Sequence, residues 1–269
     1  SCWLCSDSWF CLFDWEGARM EANAIIETVN LTRNYQHQTA VDSLSFTVKE
    51  GEIFGFLGPN GAGKTTTLLM LLGLSRPSGG FAKVCGLNPL RNPLEVKRLV
   101  GYLPENVGFY SDLNAVQSLE YVADLNGIER DNASEKIEEL LQLIGLKKDA
   151  NKKVGNYSRG MKQRLGIAEV LIKDPKVLFL DEPTLGLDPD GAIRLIDLVQ
   201  SLNRDRNITV LLSSHHLHQV QKISHRVGIM ISGKMVAEGS IETLANEKFG
   251  IGEKRYALEE IYMEYFQEV

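Results

Sequence analysis

The sequence predicts an α/β fold: a parallel sheet carrying helices, an antiparallel β piece ahead of it and a helical insert in its middle. Three observations carry this. The short runs Val177 to Leu180 and Ile208 to Leu212 are apolar without alternation, as in strands buried on both faces. Between them Leu195, Leu198, Val199 and Leu202 recur at helical spacing, giving the strand–helix–strand order of a parallel sheet with right-handed crossovers. The stretch from about 112 to 172 shows only helical periodicity, so a helical subdomain near 109–160 is expected within the core.

Taken in order, Ala24 to Val29, Leu44 to Val48 and Ile53 to Leu57 are expected strands. The polar stretch Thr32 to Thr39 and the turn Lys49-Glu50-Gly51 separate them. A glycine-rich loop then opens a helix from Lys64 to Gly73, apolar through Leu68, Leu69, Leu71 and Leu72. Asn92-Pro93 offers an N-cap and a proline at the first helical position, with Glu95 in the first turn. Ile137, Leu140, Leu141 and Ile144 share one helix face, and Gly145 follows as a stop. Val227 to Ile231 is a further strand, and Leu258, Ile261, Tyr262 and Tyr265 mark a closing amphipathic helix. The expected organisation is one domain over 20–240 and a helical extension over 241–269.

With 269 residues, 43% hydrophobic and 24% charged, the chain can bury a sizeable core. A net charge of -6 with scattered Lys and Arg argues against duplex binding, so no nucleic-acid partner is expected. No stretch approaches about 18 apolar residues, so action at a membrane would need another chain to span it. Residues 1–19 stand apart: Cys2, Cys5 and Cys11 are three of the 4 cysteines, and Trp3, Trp9 and Trp15 are all 3 tryptophans. Asp7, Asp14 and Glu16 break the apolar middle that a signal peptide needs. This segment is expected to be a leader or a misassigned upstream segment outside the fold. The alternative is a metal-binding tail, for which it offers cysteines but no histidine. Beyond it only Cys85 remains, as in a reducing cytoplasm.

The strongest motif is Gly58, Pro59, Asn60, Gly61, Ala62, Gly63, Lys64, Thr65, a full GxxxxGK[ST] phosphate loop between an expected strand and an expected helix. Its glycines let backbone N–H groups curl around phosphate oxygens, and the helix start adds about half a positive charge. Lys64 would reach the β and γ phosphates, the Thr65 hydroxyl would ligate Mg²⁺, and Thr66 continues the cradle. This motif alone leaves kinase, GTPase, motor or ABC protein open. Val177-Leu178-Phe179-Leu180 then ends in Asp181-Glu182-Pro183. At a strand tip, Asp181 can hold the Mg²⁺ shell while Glu182 polarises water; the alternative is a solvated acidic turn.

Residues 24 to 240 resemble the nucleotide-binding subunit of ABC transporters, motif after motif in the family's order. The resemblance implies a P-loop NTPase (RecA-like) core with an antiparallel β subdomain and an inserted helical subdomain. It makes Tyr35 the ring that stacks on adenine. Tyr157-Ser158-Arg159-Gly160-Met161 stands where the family carries LSGGQ, and Gln163 and Arg164 continue the usual pattern. Ser158 and Gly160, which would contact phosphate, are kept; Arg replaces the first glycine and Met the glutamine. Ser158 is also a good N-cap for the following helix, whose positive end would face a γ-phosphate on another subunit. Gly186-Leu187-Asp188 matches the loop after the acidic pair, with Asp188 among the nucleotide contacts. Ser213-Ser214-His215 matches the strand-end switch histidine, which would hydrogen-bond the γ-phosphate.

Glu105, in Gly101-Tyr102-Leu103-Pro104-Glu105, replaces the family's metal-ligating Gln. It keeps the oxygen and adds charge; the alternative is a loop carboxylate in water. A zinc cluster of His215, His216 and His218 is disfavoured, because the spacings put these rings on different helix faces. The resemblance further implies ATP and Mg²⁺ as cofactors, with Lys64, Glu182 and His215 catalytic and Thr65, Asp181 and Glu105 around the metal. Two subunits, as a homodimer or heterodimer, would close head to tail over two ATP. Separate transmembrane permease subunits would place the protein at the cytoplasmic face of a membrane. Pro104-Glu105 and the form of the signature look most like exporters of multidrug or polysaccharide type. The alternatives are a soluble ABC-type ATPase in translation or cofactor assembly, and a small-molecule kinase, which would leave His215 unexplained.

Overall fold

The computed structural model describes residues 23–36, 38–250 and 256–267, so the expected leader over 1–19 lies outside the described residues. The chain opens with β1 (Ala24–Tyr35), β2 (Gln38–Lys49) and β3 (Ile53–Leu57), then α1 (Lys64–Leu71) and β4 (Gly79–Val84). After α2 (Pro93–Leu99) and β5 (Val100–Leu103) come α3 (Ala115–Leu125), α4 (Arg130–Leu143) and α5 (Arg159–Leu171). The rest is β6 (Val177–Asp181), α6 (Pro189–Arg206), β7 (Thr209–Ser214), α7 (Leu217–Ile223), β8 (Arg226–Ile231), β9 (Lys234–Gly239), α8 (Ile241–Phe249) and α9 (Leu258–Gln267).

Two sheets form. One is antiparallel in the order β2-β1-β4; the other runs β5-β6-β7-β3-β8-β9, parallel except for its last pair. The inner strands β3, β6 and β7 of the second sheet are buried along their whole length because each face of the sheet meets a different core. Ile53, Leu57, Leu178, Leu180, Val210 and Leu212 point into the core shared with α3 to α9. Phe54, Phe56, Val177, Phe179 and Leu211 point into the core shared with the antiparallel sheet, α1 and α2. Phe46 of β2 bridges the sheets, its ring centroid 5.7 Å from that of Phe54 and 5.4 Å from that of Phe56. Leu119 and Leu140 of the helical segment share their core with the parallel sheet, so these helices build on the sheet itself.

Several sequence expectations need correction. Thr32 to Thr39 is not a separating loop: β1 and β2 run into it, pairing Arg33 with Val41, Asn34 with Thr39 and Tyr35 with Gln38. The polar residues reflect a hairpin tip that reaches water, where no apolar alternation is needed. The first helix ends at Leu71, two residues early, with Gly73 left-handed at φ +67°. Asn92 does sit before α2, but its side chain makes no capping hydrogen bond. Strands β4, β5 and β9 were not expected. β4 opens on two glycines, β5 has 4 residues, and β9 is a half-buried edge, so none gives a periodic signal.

Candidate nucleotide site

The site gathers at the C-terminal ends of three neighbouring strands. In the ladders Leu57 faces Ser214 and Asp181 faces Ser213, so β3, β7 and β6 end side by side. Such strand ends are where open α/β sheets present ligand-binding loops. The phosphate loop leaves β3 there, the acidic pair ends β6, and His215 follows β7.

Gly63, at φ +100°, caps α1; a Cβ here would lie 2.3 Å from the Ala40 carbonyl oxygen. Only glycine lets the start of β2 close so tightly on the loop, and this contact carries the β1–β2 hairpin, with Tyr35, alongside the cradle. Tyr35 is half exposed, with Arg33 over one ring face at 4.3 Å and its hydroxyl 3.3 Å from Ser75 Oγ. The Ser75 hydrogen bond and Arg33 together hold the Tyr35 hydroxyl below the usual tyrosine pKa.

Lys64 is buried and folded back on its own loop, donating to the carbonyls of Gly58 (2.7 Å) and Pro59 (3.2 Å). Its Nζ also lies 3.4 Å from Glu182 Oε1. Thr65 Oγ1 donates to Asp181 Oδ2 at 2.8 Å, and Ser213 Oγ donates to the other Asp181 oxygen. Burial first and the nearby Asp181 charge second push the Tyr102 hydroxyl up to about 12, so it stays protonated beside that carboxylate. Thr65 and Asp181 thus offer adjacent hard oxygens, the donor set a small divalent cation takes.

Glu182 is buried at φ +46°, a left-handed backbone costing a non-glycine residue about 1–3 kcal/mol. Its N–H donates to Ser213 O (3.0 Å), and its Oε2 accepts from the His215 N–H (3.3 Å) and lies 2.8 Å from His215 Nδ1. Oε1 is buried with no hydrogen-bond partner. This oxygen, ion-paired with Lys64 but free of hydrogen bonds, suits a carboxylate that takes up a proton or orients water once a polyphosphate occupies the cradle and engages Lys64.

The structure therefore brings Gly58 to Thr66, Asp181, Glu182 and His215 together. Ser158 lies elsewhere, capping α5 by accepting from the Met161 N–H at 3.3 Å. Gly160 is open: a Cβ there would meet nothing nearer than Leu187 Cδ2 at 3.8 Å. Asp188 caps α6, accepting from the Gly191 N–H at 3.4 Å. Glu105 is exposed; it lines a cavity of about 280 Å³ with Arg159, Lys162 and Gln163, and its charge contributes to the Tyr102 shift. The His215 and His216 rings lie 4.1 Å apart at a tilt of 37°, and burial first, then His215, lowers the His216 pKa. Sequence reasoning missed Tyr102 and Ser213 as Asp181 partners; their places at the ends of β5 and β7, beside β6, were the available signal.

A phosphate loop on a central parallel strand, beside a strand ending in an acidic pair, defines a phosphate-loop NTPase. The comparisons go further. The profile of the family described as ABC transporter matches residues 41–185. A bacitracin transport ATP-binding protein of Bacillus licheniformis is 46% identical over 216 residues, 80% of this chain and 70% of that protein. A solved ATP-binding subunit of an ABC transporter superposes with TM-score 0.80 at 26% identity, covering 90% of this chain and 99% of its own. The cbiO1 protein of Clostridium perfringens, part of the ABC transporter complex cbiONQ, superposes with TM-score 0.77 at 27% identity, covering 84% and 92%. The chain belongs to the ABC transporter family and is an ATP-binding, ATP-hydrolysing subunit of such a transporter.

Proposed function

We propose that this subunit powers export by closing head to tail with a second ATP-binding subunit and driving separate membrane-spanning permease chains at the cytoplasmic face. The observation that carries the chemistry is the buried Glu182 oxygen that makes no hydrogen bond and lies 3.4 Å from Lys64 of the phosphate loop. In this reading Gly58 to Thr66 cradle the phosphates, Lys64 stabilises transition-state charge and Glu182 is the general base. His215, already on the Glu182 carboxylate, senses the γ-phosphate, and Tyr35 offers the ring face away from Arg33 to adenine. Thr65 and Asp181 would hold Mg²⁺, which neutralises charge developing on the phosphates.

Ser158, Gly160 and Asp188 would meet the nucleotide of the other subunit. The open surface at Gly160 and the exposed Ser158 support this. No helix of the described residues is long and apolar enough to cross a membrane. Among relatives, the Bacillus licheniformis protein is named for bacitracin transport. Export as the direction rests on the exporter-like signature and Pro104-Glu105. Co-purification with a permease chain, and ATP-dependent efflux in vesicles holding both, tests the reading; uptake in that assay would reverse the direction.

In this reading Glu105, whose charge bears on Tyr102, joins the proposed metal shell. Glu105→Gln is expected to raise the Mg²⁺ concentration for half-maximal ATPase, leaving nucleotide affinity measured without metal unchanged, because hard cations favour carboxylate over amide oxygen. Glu105→Ala should raise it further. Superimposable Mg²⁺ titrations of the three proteins would remove Glu105 from the shell.

A further inference from the structure

Among the described residues, Gln163 is the α5 side chain hydrogen-bonded to the segment that carries Glu182. It is buried at 3% exposure, and its Nε2 donates to the Pro183 carbonyl at 3.0 Å. Pro183 has no N–H of its own, and its carbonyl takes no backbone hydrogen bond among the described residues. Around it the acidic loop is pinned on its other sides: Glu182 N–H to Ser213, Leu185 N–H to Glu182 O at 3.1 Å, and Thr184 Oγ1 to Gln219. All of these run within the loop or toward β7 and α7. Among the described residues, the Gln163 bond is the hydrogen bond that reaches across to α5, the helix capped by Ser158 and carrying Gly160 in its first turn. One turn further on, Gly166 lets α5 lie close to the loop carrying Glu105: a Cβ there would be 2.6 Å from Leu103 and 3.0 Å from Val107. The middle of α5 is thus set firmly against the end of β5, and its first turns are tied to the residue after Glu182.

We propose that Gln163 is a positioning residue for Glu182: by fixing the Pro183 peptide against α5, it holds the carboxylate at the angle that hydrolysis needs. A left-handed residue such as Glu182 keeps its conformation only while its surroundings over-determine it. Releasing the peptide that follows frees the Glu182 side chain to swing away from the phosphate loop. The same bond joins this chain's own acidic pair to the helix that presents Ser158 and Gly160. Engagement of that helix by a second subunit is therefore transmitted to Glu182 through a single hydrogen bond. The proposal rests on the reading of Glu182 as the base.

The test is a double-mutant cycle on the full chain in single-turnover ATPase assays, with equilibrium ATP binding and thermal melting measured alongside. Gln163→Met keeps the length and volume but cannot donate. It is expected to lower the hydrolysis rate about 10- to 100-fold, the scale of a misplacement near 1 Å, while ATP affinity stays within about twofold. Gln163→Glu is polar, of the same length and without a donor when ionised; it should lose rate likewise and carries the test should the Met variant melt early. On a Glu182→Gln background, Gln163→Met should cost nothing more, since no base is left to aim. A merely structural role would lower both backgrounds by the same factor, and that result overturns the proposal, as does a wild-type rate for both Gln163 variants. Wild-type turnover by Glu182→Gln alone would instead overturn the reading of Glu182, and the proposal with it.

Discussion

Glu182→Gln is expected to bind ATP as tightly as the wild type and to lose most steady-state hydrolysis, by about 10²- to 10⁴-fold. The geometry explains both halves. The amide keeps an oxygen able to accept the His215 N–H, now made by Oε2 at 3.3 Å, so the backbone at φ +46° keeps its anchor. The phosphate loop, Lys64 and the Thr65–Asp181 pair are unaltered, so the affinity terms survive. What is lost is the proton-accepting oxygen 3.4 Å from Lys64. Phosphate release under saturating ATP, beside equilibrium binding of ATP, checks the two halves separately. Turnover at the wild-type rate would remove Glu182 as the base.

Gly160→Asp is expected to abolish ATP-driven dimers while leaving the single subunit folded. In one chain the nearest atom to a Cβ at Gly160 is 3.8 Å away, so the new side chain meets open space and melting should move little. In the closed pair its carboxylate would face the γ-phosphate of the other subunit, and two anions at short range repel strongly where water is excluded. Light scattering with ATP on the Glu182→Gln background gives the readout. That protein should run as a dimer and, with Gly160→Asp added, as a monomer. A dimer that persists would place the signature away from the interface.

The parts of this molecule legible in the sequence were those where one physical demand dominates. Val177 to Leu180 had to be apolar on both faces because two cores meet there, and the run showed it. Gly58 to Thr65 had to spell a phosphate cradle, because only glycines bring backbone N–H groups so close to oxygen. Ser158 was readable as a helix cap, whereas the capping of α6 by Asp188 was not. Less legible was whatever depends on a partner distant in sequence. β4 is a strand only because Thr28 and Val29 of β1 pair with its Ala82 and Phe81, and its own glycines suggest a loop. Tyr102 and Ser213 look ordinary until β6 brings Asp181 between them. Gln163 carried no signal of burial, since a glutamine on a helix normally faces water.

The alternation along β3 has a consequence for how the protein tolerates change. Ile53 and Leu57 lean on one core, Phe54 and Phe56 on the other, and the phosphate loop begins at the next residue, Gly58. β3 is a party wall with the nucleotide cradle mounted on its end, and neither tenant can rebuild without shifting the mounting. Phe46, on β2, thus has leverage on a loop that a different strand carries, through ring contacts of 5.7 and 5.4 Å. Close packing transmits such displacements because interiors compress little. Drift in the antiparallel sheet would therefore surface as altered ATP affinity before it surfaced as unfolding, and the aromatic trio of Phe46, Phe54 and Phe56 is where the two kinds of damage meet.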